Sequence, residues 1–174
     1  FDFASTPHIH FGIGQRKNLS DILSGYGSKV LLISGDKSFN NSPLCLETWD
    51  ALRSQFEIER ESVVGEPSPQ MVDEWVTKHQ SFNPDVVLAI GGGSAVDAAK
   101  AVAGLLPSGD SVMEYLEGVG KGKVFDGVTT PFVAVPTTAG TGGETSKNAV
   151  LSVIAEDGYK KSFRHENLVP KHIV

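Results

Sequence analysis

Three consecutive glycines and a serine, Gly91 to Ser94, separate an apolar run from a run with helical periodicity. The surrounding stretch, AIGGGSAVDAAKAV at 89–102, indicates a strand, a tight turn and a helix in that order. A helix N-terminus offers unpaired N–H groups and the positive end of a dipole, and glycine lets a phosphate approach the backbone closely. The turn is therefore a candidate pyrophosphate site formed by Gly92, Gly93 and Ser94.

The same stretch also fits a capped turn without a ligand. Ser94 is suited to cap the helix, and Asp97 completes an S-x-x-D capping pattern. An acidic side chain that faced a phosphate would repel it, so we expect a structural role for Asp97 at the edge of the site. The G-x-G triplets of this sequence do not extend to G-x-G-x-x-G, so the usual dinucleotide fingerprint is absent as written.

A second candidate is the threonine- and glycine-rich stretch VPTTAGTGGETS at 135–146. Thr137, Thr138 and Thr141 provide hydroxyl groups beside glycines, a combination that can bind phosphate, ribose or a base edge. A loop of this composition can equally lack a ligand. Both candidate loops follow apolar, strand-like runs, and ligands of such folds collect at the carboxyl ends of strands. We therefore expect the two loops to share one ligand.

Three charged residues extend this hypothesis. Asp36 follows the strand-like run VLLIS and could accept hydrogen bonds from an adenosine ribose while repelling a 2′-phosphate, which favours NAD over NADP. A solvated turn aspartate is the alternative. In the usual fingerprint the acid follows the glycines, whereas here it precedes them, so the site needs another topology. Lys160 and Lys161 are either a solvated pair or cations that reach the ligand.

The five histidines do not indicate a metal centre. His8 and His10 share a strand face, but two imidazoles without a nearby third ligand do not make a site. We expect surface or packing roles for the histidines. The patterns H-E-x-x-H, G-x-S-x-G and a Cys–His pair are absent, so no residue is predicted to be catalytic or to bind a metal.

Strand-like and helix-like stretches alternate along most of the chain. The strand-like runs are HIHFGI (8–13), KVLLIS (29–34), FEIERESVV (56–64), DVVLAI (85–90) and FVAVP (132–136). The helix-like stretches are NLSDILSGY (18–26), SPLCLETWDALRSQ (42–55), SPQMVDEWVTKHQ (68–80) and SAVDAAKAVAGLL (94–106). Ser68 fits a helix cap, with Pro69 at the first helical position. This alternation predicts an α/β fold, a Rossmann-like parallel sheet flanked by helices.

The pattern changes towards the C-terminus. Residues 106–131 predict a glycine-rich connection with one short helix around Val112 to Leu116. KNAVLSVIAEDGYKKSF at 147–163 predicts a β-hairpin with Asp157-Gly158 in its turn, because Asp-Gly tolerates the positive φ of such turns. The last residues, LVPKHIV, resemble the start of another strand.

Composition limits the classes of function. The 174 residues suit one domain with a hydrophobic core, and no apolar run approaches the roughly 20 residues of a membrane helix. The net charge of −6 argues against binding to nucleic acid. Cys45 is the only cysteine, which excludes a disulfide framework and fits a reducing compartment, with the cytoplasm as the default. The N-terminal stretch FDFASTPHIHFGIG lacks the regions of a signal peptide.

Three motifs in this order resemble the iron-containing (group III) alcohol dehydrogenases: GGGSAVDAAK (91–100), PTTAGTGGETS (136–146), and YKKSF (159–163) ahead of LVPKHIV. The similarity extends to FGIG near the start, Asp36 and GEPSP at 65–69. The chain resembles the N-terminal, cofactor-binding half of these enzymes, with a dehydroquinate synthase-like N-terminal domain. Glycerol dehydrogenases and dehydroquinate synthases are wider relatives.

The resemblance implies roles for individual residues. Gly92, Gly93 and Ser94 would bind the pyrophosphate, the threonines would line the adenine and ribose region, and Lys160 would reach a ribose hydroxyl near the nicotinamide. Ser68 stands where many members have a nucleotide-contacting Asn, and Gly143 where relatives often have Ser. The complete set of cofactor-binding candidates is Asp36, Ser68, Gly92, Gly93, Ser94, Asp97, Thr137, Thr138, Thr141 and Lys160.

One departure from the family concerns the metal. The family holds a divalent metal, iron or zinc, through Asp and His residues of a helical C-terminal domain, which typically include a D-A-x-x-H run that is absent here. The resemblance therefore implies that residues 1–174 are a dinucleotide-binding domain, inactive when isolated, from a dehydrogenase that interconverts an alcohol and an aldehyde or ketone. Homo-oligomerisation stays open. The alternatives are a dehydroquinate synthase-like or glycerol (phosphate) dehydrogenase relative, and a non-catalytic nucleotide-binding domain.

Overall fold

The computed structural model describes residues 6–174, so the first five residues of the N-terminal stretch lie outside the described part. Six strands form one sheet, and their order is β1 (His8–Ile9), β8 (His172–Ile173), β5 (Phe132–Pro136), β4 (Val86–Gly91), β2 (Lys29–Gly35) and β3 (Glu57–Val63). Every neighbouring pair in this sheet is parallel. The predicted parallel α/β architecture is confirmed.

Helices cover both faces of the sheet. They are α1 (Leu19–Ser24), α2 (Lys37–Asn40), α3 (Pro43–Arg53), α4 (Pro69–His79) and α5 (Gly93–Leu105). Strands β2 and β4 alternate between two cores: Leu31 and Ile33 face α4 and α5, whereas Val30 and Leu32 face α1 and α3. Both strands are buried on both faces, which explains why they read as continuous apolar runs in the sequence.

The helix starts decide which backbone groups remain available for a ligand. Ser68 caps α4 as predicted, since its hydroxyl accepts a hydrogen bond from the Met71 N–H at 3.2 Å. The predicted cap at Ser94 is wrong. The N–H groups of Ala95 and Val96 both donate to the Gly92 carbonyl at 3.1 Å, so α5 closes its first turn on Gly92 and already contains Ser94. The S-x-x-D pattern formed by Ser94 and Asp97 is therefore not a capping box.

The first strand is shorter than the predicted run HIHFGI. It ends at Ile9, and Phe11 and Ile13 are fully exposed. Gly12 and Gly14 have φ of 144° and 84°, values that suit glycine and do not continue a strand.

The predicted hairpin is present: β6 (Asn148–Val153) and β7 (Tyr159–Arg164) form a separate antiparallel pair. It packs against α5. Asp157 and Gly158 lie in its turn, but Gly158 has no positive φ, contrary to expectation. The loop spans residues 154–158 and is too long for the two-residue turn that requires such a conformation. Glycine is needed for another reason, because a Cβ there would lie 2.2 Å from the Val153 carbonyl oxygen.

Residues 106–131 form the predicted connection, which contains a 3-10 helix at Val112–Glu114. Three further 3-10 helices occupy Gln15–Asn18, Gly143–Thr145 and Glu166–Leu168. None of the helices within residues 6–174 combines the length and apolar character that a membrane crossing requires.

His79 has a packing role in the interior, within the surface or packing roles expected of the histidines. Its side chain is 1% exposed, and its Nδ1 and Nε2 lie 2.5 Å from Glu59 and 2.6 Å from Glu61. His79 thus bridges two glutamates and joins α4 to the edge strand β3.

Candidate dinucleotide-binding site

The carboxyl ends of β2, β4 and β5 lie side by side, and the segments that follow them enclose a cleft of about 540 Å³. Strands that run parallel end at the same edge of a sheet, so residues far apart in sequence meet there. The cleft brings together six of the predicted residues, which are Asp36, Gly92, Gly93, Ser94, Thr137 and Thr138. The expectation that the glycine turn and the threonine loop share one edge is therefore confirmed in position.

The start of α5 presents backbone donors to this cleft. Among residues 6–174 no side chain caps α5, so the N–H groups of Gly93 and Ser94, which precede the first bonded N–H at Ala95, are available to a ligand. The threonine loop, residues 137–147, rests on this turn: a Cβ added to Gly92 would lie 3.0 Å from Thr138 Oγ1, and one added to Gly93 would lie 3.4 Å from Thr141. Thr141 thus touches the turn without lining the cleft.

Asp36 lines the cleft and immediately precedes α2. Its Oδ1 accepts a hydrogen bond from Asn40 Nδ2 at 3.2 Å, and Asn40 in turn accepts one from Arg60 at 3.0 Å. Burial lowers the pKa of Arg60, and the charge of Asp36 opposes this shift. The carboxylate is therefore held in a defined orientation at the position where a ribose hydroxyl could bind.

Lys160 and Ser68 lie apart from this cleft. Lys160 Nζ donates to Glu66 Oε1 at 2.9 Å, and the hydroxyl of Ser152 donates to the other oxygen of Glu66. These two hydrogen bonds, that of Ser152 first, lower the pKa of Glu66. Glu66, Ser68 and Ser152 line a neighbouring groove of about 930 Å³ between α4 and the hairpin. Because Ser68 caps α4, its hydroxyl oxygen is already engaged.

Asp97 faces the threonine loop rather than the cleft. Its Oδ1 would lie 3.9 Å from a Cβ added to Gly143. Burial raises its pKa to about 6, against the opposing influence of Lys100, the Val150 backbone amide and Lys160. Asp97 thus lies beneath the loop and away from the cleft. This position agrees with the structural role expected for an acid that would repel a phosphate.

Lys100 is a feature of this site that the sequence analysis missed. Its side chain is 0% exposed, and its Nζ donates to the carbonyl oxygens of Gly143, Ser146 and Asn148. A signal exists in the sequence, since Lys100 is the one charged residue in the otherwise apolar run AAKAVAGLL. A charge on the buried face of a helix requires partners nearby.

The edge of the sheet next to β1 collects three histidines. His10 and His172 are hydrogen bonded through Nε2 and Nδ1 at 2.9 Å, and the ring centroid of His8 lies 5.4 Å from that of His172. The sequence analysis did not foresee His172 in this group. Nevertheless, no three His, Cys, Asp or Glu side chains within residues 6–174 are arranged to hold a metal ion.

Known proteins share this fold and sequence pattern. The family model of iron-containing alcohol dehydrogenases matches residues 6–174. The chain is 30% identical to 4-hydroxybutyrate dehydrogenase of Cupriavidus necator, over 96% of this chain and 43% of that enzyme. It is 29% identical to NADH-dependent butanol dehydrogenase A of Clostridium acetobutylicum, over 100% of this chain and 44% of that enzyme.

Solved structures agree. NADH-dependent butanol dehydrogenase A of Thermotoga maritima superposes with a TM-score of 0.88 at 27% identity, over 99% of this chain and 43% of that one. Sulfoacetaldehyde reductase of Bifidobacterium kashiwanohense, solved in complex with NAD+, gives a TM-score of 0.85 at 27% identity, over 99% and 45%. The chain thus spans less than half the length of these relatives and corresponds to their N-terminal half. It belongs to the iron-containing alcohol dehydrogenase family.

Proposed function

We propose that this chain is the NAD(H)-binding half of a metal-dependent alcohol dehydrogenase that interconverts an alcohol and an aldehyde or ketone by hydride transfer. The observation that carries the proposal is the convergence of uncapped N–H groups at the start of α5, threonine hydroxyls and Asp36 on one cleft. Helix N-termini bind phosphate groups through such N–H donors. Family membership favours this function over the dehydroquinate synthase-like and non-catalytic alternatives.

Different residues of the cleft would contact different parts of the cofactor. Gly92, Gly93 and Ser94 would hold the pyrophosphate with backbone N–H groups, and the threonine loop would cover the neighbouring ribose. Asp36 would accept hydrogen bonds from the adenosine ribose. A second negative charge there, the 2′-phosphate of NADP, would be repelled, so NAD is the preferred cofactor. Two relatives, the butanol dehydrogenases A of Clostridium acetobutylicum and Thermotoga maritima, are NADH-dependent, which supports this preference.

The chemical step requires more than these residues. When bound, the dinucleotide would supply or accept the hydride, and the residues of the cleft would hold it in position. The described residues contain no candidate metal cluster, so the residues present do not fit the family's iron or a zinc ion. We place the metal ligands and the substrate contacts in the part of the enzyme that this chain does not match. The 174-residue chain should then bind cofactor without turning over substrate.

Titration of the 174-residue chain with NADH, followed by fluorescence, tests the proposal. We expect a saturable signal that ADP-ribose competes away. Gly92→Asp should abolish it, because a carboxylate would enter the anion site. Ala155→Asp is the control, since Ala155 is an exposed residue of the hairpin turn and does not line the cleft. Absence of a saturable signal at millimolar NADH would refute the proposed function.

A further inference from the structure

The buried ammonium of Lys100 is surrounded by oxygen atoms from one short segment of chain. Besides the carbonyl oxygens of Gly143 and Ser146, it contacts the Asn148 carbonyl oxygen at 3.1 Å and Ser146 Oγ at 3.2 Å. An ammonium group has three N–H bonds, so all of its donors have acceptors. Main-chain carbonyl oxygens accept the hydrogen bonds of this ammonium, where an ordinary ion pair would have a carboxylate.

The segment that Lys100 holds is the C-terminal end of the threonine loop. Residues 137–142 of this loop are exposed, and no residue of 137–147 is buried. The loop also contains Gly140, Gly142 and Gly143, and glycine loses more conformational entropy on ordering than any other residue. The loop therefore has no hydrophobic anchor of its own that could fix its position.

The other end of the loop lies on the pyrophosphate turn. Thr138 and Thr141 approach Gly92 and Gly93, as described above. Lys100 belongs to the same helix as Gly93, about two turns further along. One helix thus contacts the loop twice, with backbone glycines at its start and with a buried cation further along.

We propose that Lys100 is a positioning residue of the dinucleotide site: its ammonium fixes the threonine loop against α5 in the arrangement that the cofactor requires. The inference rests on the proposed function for its last step, the binding of dinucleotide. It assigns to Lys100 no contact with the cofactor, because the side chain is buried beneath the loop.

The electrostatic surroundings agree with this role. Burial lowers the pKa of Lys100 to about 8, and the carboxylates of Asp97 and Glu144 oppose the shift. Asp97 lies one helical turn before Lys100, and Glu144 is part of the loop itself. An unpaired charge in this environment would be costly, so the ammonium and its carbonyl acceptors stabilise one another.

Hydrogen exchange and cofactor binding together test the proposal on Lys100→Met. The variant keeps most of the side-chain volume and loses the charge. We expect faster exchange in peptides that cover 137–147, unchanged protection in β2 and β4, and an NADH Kd raised about tenfold because the site is no longer preorganised. Leu105→Ala is the control in α5: it removes a buried side chain and should lower the Tm without selectively exposing the loop.

Two results would overturn the proposal: loop exchange and NADH Kd as in the wild type, or exchange that rises uniformly across the chain. If Lys100→Met does not fold, Lys100→Ala is compared in methylammonium and tetramethylammonium chloride at equal concentration. Only methylammonium can donate hydrogen bonds to the vacated carbonyl oxygens. Recovery of folding and NADH binding in methylammonium alone supports the role of Lys100, and equal behaviour in both salts contradicts it.

The outcome is separable from that of the proposed function. Loop exchange is measured without cofactor, so it reports on Lys100 alone. A wild-type chain that fails to bind NADH refutes the proposed function, whereas a wild-type chain that binds NADH beside an unaffected Lys100→Met variant refutes only the positioning role.

Discussion

Glu66 Oε1 accepts a hydrogen bond from Lys160 Nζ at 2.9 Å, and this ion pair joins the segment after β3 to the hairpin. The pair is half-exposed, so its net contribution to stability is small. Its geometric effect is larger, because Ser152 holds the second oxygen of Glu66 and so fixes the carboxylate. Glu66 thereby limits where the ammonium of Lys160 can lie.

A double-mutant cycle on this pair tests whether Glu66 acts through Lys160. If Lys160 contacts the cofactor, Lys160→Met weakens NADH binding, and Glu66→Gln weakens it by a smaller factor because the cation is less well placed. In the double variant the two losses should not add, since Glu66 has no role once the cation is gone. Fluorescence titration of the four proteins gives the coupling. Fully additive losses would show that the residues act independently.

Asp36→Ser should shift the cofactor preference. Removal of the carboxylate removes the repulsion of a 2′-phosphate and one acceptor for the ribose hydroxyl, so the NADH-to-NADPH affinity ratio should fall about tenfold or more. Asp50→Ser is the control, because it removes an exposed carboxylate that does not line the cleft. Parallel titrations with both cofactors measure the ratio. An unchanged affinity ratio would show that Asp36 does not contact the cofactor.

Alanine substitutions at two neighbouring glycines, Gly91 and Gly92, should affect stability and NADH binding differently. A Cβ in Gly91→Ala would lie 2.7 Å from Ala95 Cβ and 3.1 Å from the Gly35 backbone nitrogen, so this variant should lose about 1–3 kcal/mol of stability. Gly92→Ala meets only Thr138 Oγ1, at 3.0 Å, and should displace the loop with less effect on folding. Thermal unfolding and NADH titration on both variants check this. Equal Tm losses would contradict the assignment of Gly92 to the ligand-facing side.

Asp97 should make stability depend on pH. Its folded-state pKa of about 6 lies above the ordinary aspartate value, so between about pH 4 and 6 the folded state holds more protons than the unfolded state. The free energy of unfolding should therefore fall as pH rises through this window, by on the order of 2 kcal/mol. Asp97→Asn removes the effect.

Urea unfolding of wild type and Asp97→Asn at pH 4 and pH 7 measures this linkage. The difference in unfolding free energy, Asp97→Asn minus wild type, should be larger at pH 7 than at pH 4. Asp50→Asn is the control, because it removes one carboxylate from an exposed position of α3. A parallel pH dependence in the wild type and Asp97→Asn would show that Asp97 is not the group responsible.

The sequence predicted the fold well where the pattern was local. The runs KVLLIS and DVVLAI became central strands because both of their faces are covered, and the Ser68-Pro69 pair began α4 as expected. Prediction from the sequence failed where tertiary contacts determine the local structure. Ser94 has the residue type of a cap, but the turn of α5 closes on Gly92. Likewise, apolar pattern alone could not show that the glycines after Ile9 end the first strand.

The candidate site was predicted in part for the same reason. Six of its residues follow strands that end at one edge, and strand order can be anticipated for a parallel sheet. The partners of Lys160 and Lys100 could not be anticipated, since Glu66 and the carbonyl of Asn148 come from distant segments. The contact between His10 and His172 could not be anticipated either, because it forms only when the sheet brings the two ends of the chain together.

The pairing of β1 with β8 has a consequence for the speed of folding. It pairs His8 with His172, which lie near opposite ends of the described chain, and only two residues of each strand take part. Closing so long a loop for so few backbone hydrogen bonds is entropically unfavourable until the intervening strands are in place. The central pair β2–β4 should therefore form in the folding transition state, and the outer edge of the sheet should assemble last.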